Sequence, residues 1–355
     1  MSEIKEESLS VSLNHKRIVV TFLMHLGDVI LTTPFLEVLR RLAPDSHITY
    51  VVDKKLSDVV RYSPYVDDII EVDKKGKDDS LSALWKMGRT IHKTHPDVVI
   101  NLHPNERTSF LAFAIGAPIT VGMSHFLFRP FLTKVTRLDR RNLHAARMYV
   151  NVLEQLGAHH TEEQGLHIEL CEAWKEKAKA FYEAAGLAED QPLIGFNIGS
   201  AVKEKRWPGD RFAEVADYFA GLGYGIVFFG GPMDEELVQD AVQYMKTTPI
   251  IATGKFSIGE LAAAMKRCAV IITNDSGPMH VAVSQKVPVV TLYGPSNPKF
   301  YGPYSKEAIV LESMDSYEEG KSMKQVIREG KYRGVEVIEK EAVITAVEQL
   351  LSRNV

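Results

Sequence analysis

Short runs of β-branched and aromatic residues recur along the chain, separated by longer stretches in which apolar residues return at helical spacing. In the first half the runs cover 18–22, 48–52, 69–72, 98–102 and 119–121. In the second they cover 193–198, 225–229, 250–252, 270–273 and 287–292. Strands alternating with helices predict parallel sheets with crossover helices. Two such series predict two open α/β domains, which the size of a 355-residue chain also favours. Residues 141–156 place Ala145, Met148, Val152 and Leu156 on one helical face, with Gly157 as the stop. Residues 172–185 read as a charged helix opening the second domain. Val343, Ala346, Val347, Leu350 and Leu351 mark a last helix over 340–352. The expected layout is a polar tail at 1–15, domains at 16–165 and 166–338, and a terminal helix at 339–355. Residues 312–338, rich in Glu, Lys, Ser and Gly, read as a solvated, mobile excursion.

Composition narrows the function. The chain is 45% hydrophobic and 25% charged with a net charge of −4, so it lacks the basic excess of a general nucleic-acid binder. Its two cysteines, Cys171 and Cys268, lie far apart and without metal spacing, which fits a reducing compartment and predicts a cytoplasmic protein. The first fourteen residues lack the apolar core of a signal peptide, and the longest apolar runs fall short of the ~20 residues that span a bilayer. Any membrane contact is therefore expected to be peripheral.

Chemistry concentrates where strands end. Residues 273–280, Thr-Asn-Asp-Ser-Gly-Pro-Met-His, follow the apolar run 269–272 and read as a polar turn feeding a helix start, where free N–H groups and the positive helix end hold phosphate oxygens. Ser276 and Gly277 would serve the diphosphate, and Asp275 the sugar hydroxyls. His280, one turn on, would either reach a phosphate or sit in the core. The turn at 24–29 lacks a G-x-G-x-x-G fingerprint but delivers Asp28 to the end of the first strand. Asp28 either caps a helix beginning at Val29 or takes a proton from an acceptor hydroxyl, with His25 as the second candidate base. Ser200 and Lys205, in the turn 199–208, suit the charge that grows on a departing diphosphate, and Lys203 and Arg206 either join them or are solvated. Trp207 and Pro208 would anchor the turn and start the next helix. Asp234 and Glu235 follow a Gly-Gly-Pro turn at a helix start, where acids suit the macrodipole.

Taken in order, Leu26-Gly27-Asp28, Gly199-Ser200 with Lys205-Arg206-Trp207-Pro208, Gly230-Gly231-Pro232, the 274–280 motif and the 289–295 run Val-Val-Thr-Leu-Tyr-Gly-Pro resemble the bacterial ADP-heptose:lipopolysaccharide heptosyltransferases, glycosyltransferase family 9, over roughly residues 16–352. The resemblance implies two Rossmann-like doubly wound domains facing a cleft, the GT-B architecture, with the last helix returning to the first domain. It implies Asp28 as the base, because the family's base follows a glycine in this turn, and Asp234 or Glu235 as the ribose ligand. It implies ADP-heptose as donor and an anionic lipopolysaccharide core as acceptor. The family also allows Thr at Ser276. No Asp-x-Asp pair stands at a strand end, so neither metal nor other cofactor is expected.

For the acceptor, residues 125–147 interleave Arg129, Lys134, Arg137, Arg140, Arg141 and Arg147 with Phe126, Leu127, Phe128, Phe131 and Leu132, a mixture suited either to an anionic glycolipid or to an ordinary connection. His103, Asn105 and Arg107, beyond the fourth strand, are further acceptor candidates. Two other readings share the fold: a transferase acting on a protein or another surface glycan, and a noncatalytic sugar-nucleotide binder.

Overall fold

The computed structural model describes residues 10–103, 105–123, 127–139, 142–314, 317 and 321–353. Contacts divide the chain into two units, Met1–Glu169 and Leu170–Val355.

In the first unit the order is β1 (Arg17–Thr21), α1 (Leu26–Ile30), α2 (Thr33–Leu42), β2 (His47–Asp53), β3 (Asp68–Val72), α3 (Leu81–His92), β4 (Val98–Asn101), α4 (Glu106–Ile115), β5 (Ile119–Met123), β6 (Lys134–Thr136) and α5 (Ala145–Glu154). Its six strands run parallel in the order β3-β2-β1-β4-β5-β6. The second unit comprises α6 (Glu172–Ala184), β7 (Leu193–Asn197), α7 (Gly209–Gly221), β8 (Gly225–Phe229), α8 (Glu235–Val242), β9 (Ile250–Ile251), α9 (Ile258–Met265), β10 (Val270–Asn274), α10 (Gly277–Ser284), β11 (Val289–Tyr293), α11 (Pro298–Tyr301), β12 (Ala308–Glu312), α12 (Met323–Arg328) and α13 (Lys340–Arg353). Its parallel order is β12-β11-β10-β7-β8-β9.

Helices cover these sheets, so the central strands are apolar along their middles and polar only at their ends. Val19, Val51 and Val99 pack beneath Leu84, Ile91 and Leu111 of α3 and α4. In the second unit Phe196 stacks on Phe228 at 5.2 Å, and Phe212 of α7 meets Phe196 edge-on at 6.4 Å. In each unit the chain winds outward from its first strand in one direction, then returns to wind the other way. The reversal falls between β1 and β4 and between β7 and β10. Open α/β sheets bind ligands at such a reversal, at the carboxyl ends of the strands.

Two edge strands, β6 and β12, lie outside the runs recognised in the sequence. Edge strands need only partial burial, and β6 has just three residues, two of them exposed. The helix expected over 141–156 is described from Ala145; its capping residue His144 accepts the Ala146 N–H at 3.2 Å, and Arg141 lies outside the described residues.

The last helix, α13, packs on α7, β10, β11 and β12 of the second unit. Val343, Ala346, Val347 and Leu350 enter the second core, and Tyr218 of α7 donates to Glu348 at 2.7 Å, so the apolar face of α13 is already covered there. The described part of the 312–338 excursion is largely exposed, as expected of a solvated stretch, but is anchored at several points. Val335 and Ile338 are buried, Ser313 donates to the Arg333 carbonyl at 2.6 Å, and the Trp207 indole N–H donates to the Ile338 carbonyl at 2.9 Å. A few apolar anchors in a polar stretch outweigh its average composition.

Leu350→Ala removes a fully buried side chain and is expected to cost the second unit about 2–5 kcal/mol. Amide hydrogen exchange should show lower protection across β7 and β10 and unchanged protection across β1 and β4. Unchanged protection in β7 and β10 would mean that α13 contributes nothing to that core.

Candidate active site

The site of the second unit forms at its strand reversal. Asn197 ends β7 and donates through Nδ2 to Thr273 Oγ1 at 3.1 Å and Ser276 Oγ at 2.9 Å, joining the ends of β7 and β10. Asn274 donates to the Ile198 carbonyl at 2.8 Å and accepts the Trp207 N–H at 3.1 Å. These bonds pull the turns after β7 and β10 together. Ser200, buried, donates to the Asp275 carbonyl at 3.3 Å. Lys205 Nζ meets Asp275 Oδ2 at 2.5 Å with the two side chains only 14% and 10% exposed, and Ser296 Oγ donates to the same carboxylate oxygen. Lys205, Ser200, Asp275 and Ser276 thus form one polar cluster beside the amino end of α10. That helix begins at Gly277, with Pro278 in the first turn, where a missing N–H leaves no bond unmade.

His280 is buried within α10, 5% exposed. Asp234 accepts the Gly231 N–H at 2.9 Å, and its carboxylate lies against Gly199 so closely that a methyl group there would collide with it. Its carboxylate therefore sits beside the turn that carries Ser200. Glu235 is exposed at the start of α8. Lys203 is exposed, whereas Arg206 donates through Nε to the Ser200 carbonyl at 2.7 Å. Trp207, 2% exposed, anchors the turn, and Pro208 precedes α7. Burial, reinforced by the Asp275 carboxylate, holds the Tyr293 hydroxyl far above its ordinary pKa. Burial with Glu312 raises that of Tyr317, which donates to the Gly294 carbonyl at 3.3 Å.

In the first unit Asp28 lies in the first turn of α1, its side chain 22% exposed. The helix begins at Leu26 with His25 as capping residue and no side-chain cap bond, so Asp28 does not cap a helix starting at Val29. His25 Nδ1 stands 3.6 Å from Asp28 Oδ2. The preceding turn is pinned by Lys74, which donates to the carbonyls of Leu23 and Met24 at 3.1 and 3.2 Å and pairs with Asp53 at 2.9 Å. The nearby Asp28 carboxylate raises the His25 pKa above its ordinary 6.5, outweighing burial and the positive charge of Lys74.

Of the acceptor candidates, His103 meets Phe22, just beyond β1, edge-on at 6.0 Å, which brings it to the strand reversal. Asn105 caps α4, accepting the Thr108 N–H at 2.7 Å. Arg107 donates to Asp79 at 3.0 Å and to the Asp78 carbonyl at 2.9 Å. Arg147 points elsewhere: it donates to the Thr161 carbonyl at 2.7 Å and pairs with Glu154 at 2.5 Å. Burial opposes ionisation of Glu154, yet bonds from Thr161, Asn151 and Arg147 hold its pKa below the usual value. His125, Phe126, Arg140 and Arg141 lie outside the described residues. Asn197, Ser296 and Lys74 were missed in the sequence, although Ser296 directly follows the Tyr293-Gly294-Pro295 motif, and Asn274 was seen only as part of the 273–280 motif with no role of its own.

The profile of glycosyltransferase family 9 (heptosyltransferase) matches residues 84–333. Lipopolysaccharide heptosyltransferase 3 of Escherichia coli strain K12 is 26% identical over 340 residues, 92% of this chain and 96% of that protein. Among solved structures, the glycosyl transferase family 9 protein of Veillonella parvula DSM 2008 is similar with a TM-score of 0.94 and 65% identity, covering 97% of this chain and 99% of its own. The E. coli ADP-heptose lps heptosyltransferase II shares the GT-B fold with a TM-score of 0.80 at 22% identity, over 95% of this chain and 99% of its own.

Because the His25 pKa is raised, whatever the solvent-screened attraction to Asp28 contributes is present below pH 6.5 and is lost as pH rises through the higher folded value. An NMR titration should place the His25 midpoint above 6.5, and Asp28→Asn should bring it back down. An ordinary midpoint unaffected by Asp28→Asn would contradict the contact.

Proposed function

The chain belongs to glycosyltransferase family 9, the heptosyltransferases, and we propose that it moves a heptose from ADP-heptose to the inner core of lipopolysaccharide with inversion at the anomeric carbon. The observation that carries the donor assignment is the cluster of Lys205, Asp275, Ser276 and Ser200 at the end of β7 and β10, next to the start of α10.

In this reading Asp28 accepts the proton of the acceptor hydroxyl as its oxygen attacks the anomeric carbon, opposite the leaving group. The bond from that carbon to the β-phosphate oxygen breaks, and ADP departs with the added negative charge. Lys205, the Ser276 hydroxyl and the amino end of α10 stabilise that charge. Asp275 fixes the Lys205 ammonium before donor arrives and accepts sugar hydroxyls afterwards. Asp234 or Glu235 accepts from the ribose, and His280 supports the phosphate side from inside α10. On the acceptor side His103, Asn105 and Arg107 face the anionic core, whereas the pairing of Arg147 with Glu154 argues for a structural role. Cationic and N–H groups suffice to balance the diphosphate, so transfer proceeds without metal. Two free thiols, Cys171 and Cys268, favour the cytoplasm, and among the described residues no helix is long and apolar enough to cross a membrane. The protein is read as a peripheral visitor to the cytoplasmic face of the inner membrane.

Purified protein with chelator, ADP-heptose and a panel of truncated lipopolysaccharides should add one heptose to one acceptor, read as a mass gain. Asp28→Ala should lower kcat by about 10²–10⁴ with ADP affinity unchanged; substantial turnover in that variant would remove Asp28 as base. Lys205→Ala should weaken donor binding or lower kcat by about 10²–10³, and unchanged kinetics would discard it. ADP-heptose binding with no mass gain on any acceptor would point to another acceptor class or to a noncatalytic binder. A requirement for added divalent cation would contradict the metal-free reading.

A further inference from the structure

One face of the first unit gathers aromatic side chains that the proposed chemistry does not use. Leu81 and Trp85 lie one turn apart on α3, and the Trp85 ring stands 6.2 Å from Phe110 and 6.0 Å from Phe113 of α4. Phe113 meets Phe131 at 4.3 Å and Phe128 at 6.4 Å, so the segment leading to β6 lies over the α3 and α4 pair. This is not core: Trp85 is 42% exposed, Phe131 51%, Leu81 60% and Leu127 63%. Beyond this face, Tyr62 and Val135 are the other large apolar side chains exposed among the described residues of this unit. A contiguous apolar patch of this kind marks an interaction surface.

Its charge selects the partner. Lys86 and Arg89 of α3, with Arg129 and Lys134 beside Phe131, are exposed. Neither α3 nor residues 127–137 contain an acid, in a chain whose net charge is −4. Two copies meeting through this face would oppose like charges. An anionic bilayer offers complementary chemistry: rings at the boundary between headgroups and acyl chains, cations on the phosphates.

We propose that this face of α3 and α4 docks the protein on an anionic lipid bilayer. The inference rests on the reading of the acceptor as a membrane-anchored glycolipid, and adds the surface that brings the enzyme to it.

The test is sedimentation of the full chain with phosphatidylcholine vesicles, with and without phosphatidylglycerol. The protein should bind the anionic vesicles, more weakly as salt rises, and brominated lipid should quench its tryptophan fluorescence, the quenching being lost in Trp85→Phe. Leu127→Ser with Phe131→Ser should lower partitioning at least about tenfold while ADP binding, which belongs to the other unit, persists. Should that variant fail to fold, Arg129→Glu with Lys134→Glu, both exposed, should weaken binding in the same way. Equal partitioning of wild type and variants, or no binding to anionic vesicles, would overturn the proposal. A dimer that the same substitutions dissolve, without vesicle binding, would assign the face to a second copy and overturn it too. Vesicle binding without transfer to a soluble, deacylated acceptor would sink the acceptor assignment and support the surface.

Discussion

Strands covered by helices on both faces leave no room for charge along their length, so polar chemistry has to wait until each strand ends. Both units resolve that constraint alike. Where the winding reverses, the last paired residues of the two central strands are a threonine and an asparagine. Thr21 donates to Asn101 at 3.2 Å between β1 and β4, and Asn197 donates to Thr273 at 3.1 Å between β7 and β10. All four are essentially buried. Losing one partner would strand a buried polar group at a cost of about 1–3 kcal/mol, so each pair locks the geometry of the turns that follow. Asp28 and His103 descend from the first lock; Ser200, Asp275 and Ser276 descend from the second.

The second site adds electrostatic tension. A nearly buried ammonium and carboxylate roughly break even against apolar replacements, so stability alone gives little reason to keep Lys205 and Asp275. Their value lies in holding a cation in place, with Ser296 and Lys205 sharing the carboxylate. In the proposed function, a diphosphate arriving beside α10 would meet a positive charge already oriented, in surroundings where that charge counts for more than in water.

The architecture was legible because its signal is periodic. Ten strands and the terminal helix stand out as apolar runs and helical faces, whereas β6 and β12 escape because partial burial imposes no run. Motif residues such as Lys205, Asp275 and Ser276 were visible because glycine and proline frame them. The roles of Asn197 and Asn274 were not: one lies inside the apolar run 193–198 and the other inside the 273–280 motif, and neither position announces the bond it makes to a neighbouring strand. Lys74 and Asp53, which hold the Asp28 turn, come from distant strand ends, and only the fold brings them together. The destination of α13 was equally hidden: its apolar stripe announces burial without saying against which unit.

The central claim is that the second strand reversal is a diphosphate site built around Lys205. A crystal structure of the protein with ADP tests it most directly. The account predicts the diphosphate at the carboxyl ends of β7 and β10, with Lys205 Nζ and the amino end of α10 on its oxygens. ADP bound elsewhere, or bound while Lys205 touches Asp275 alone, would contradict it.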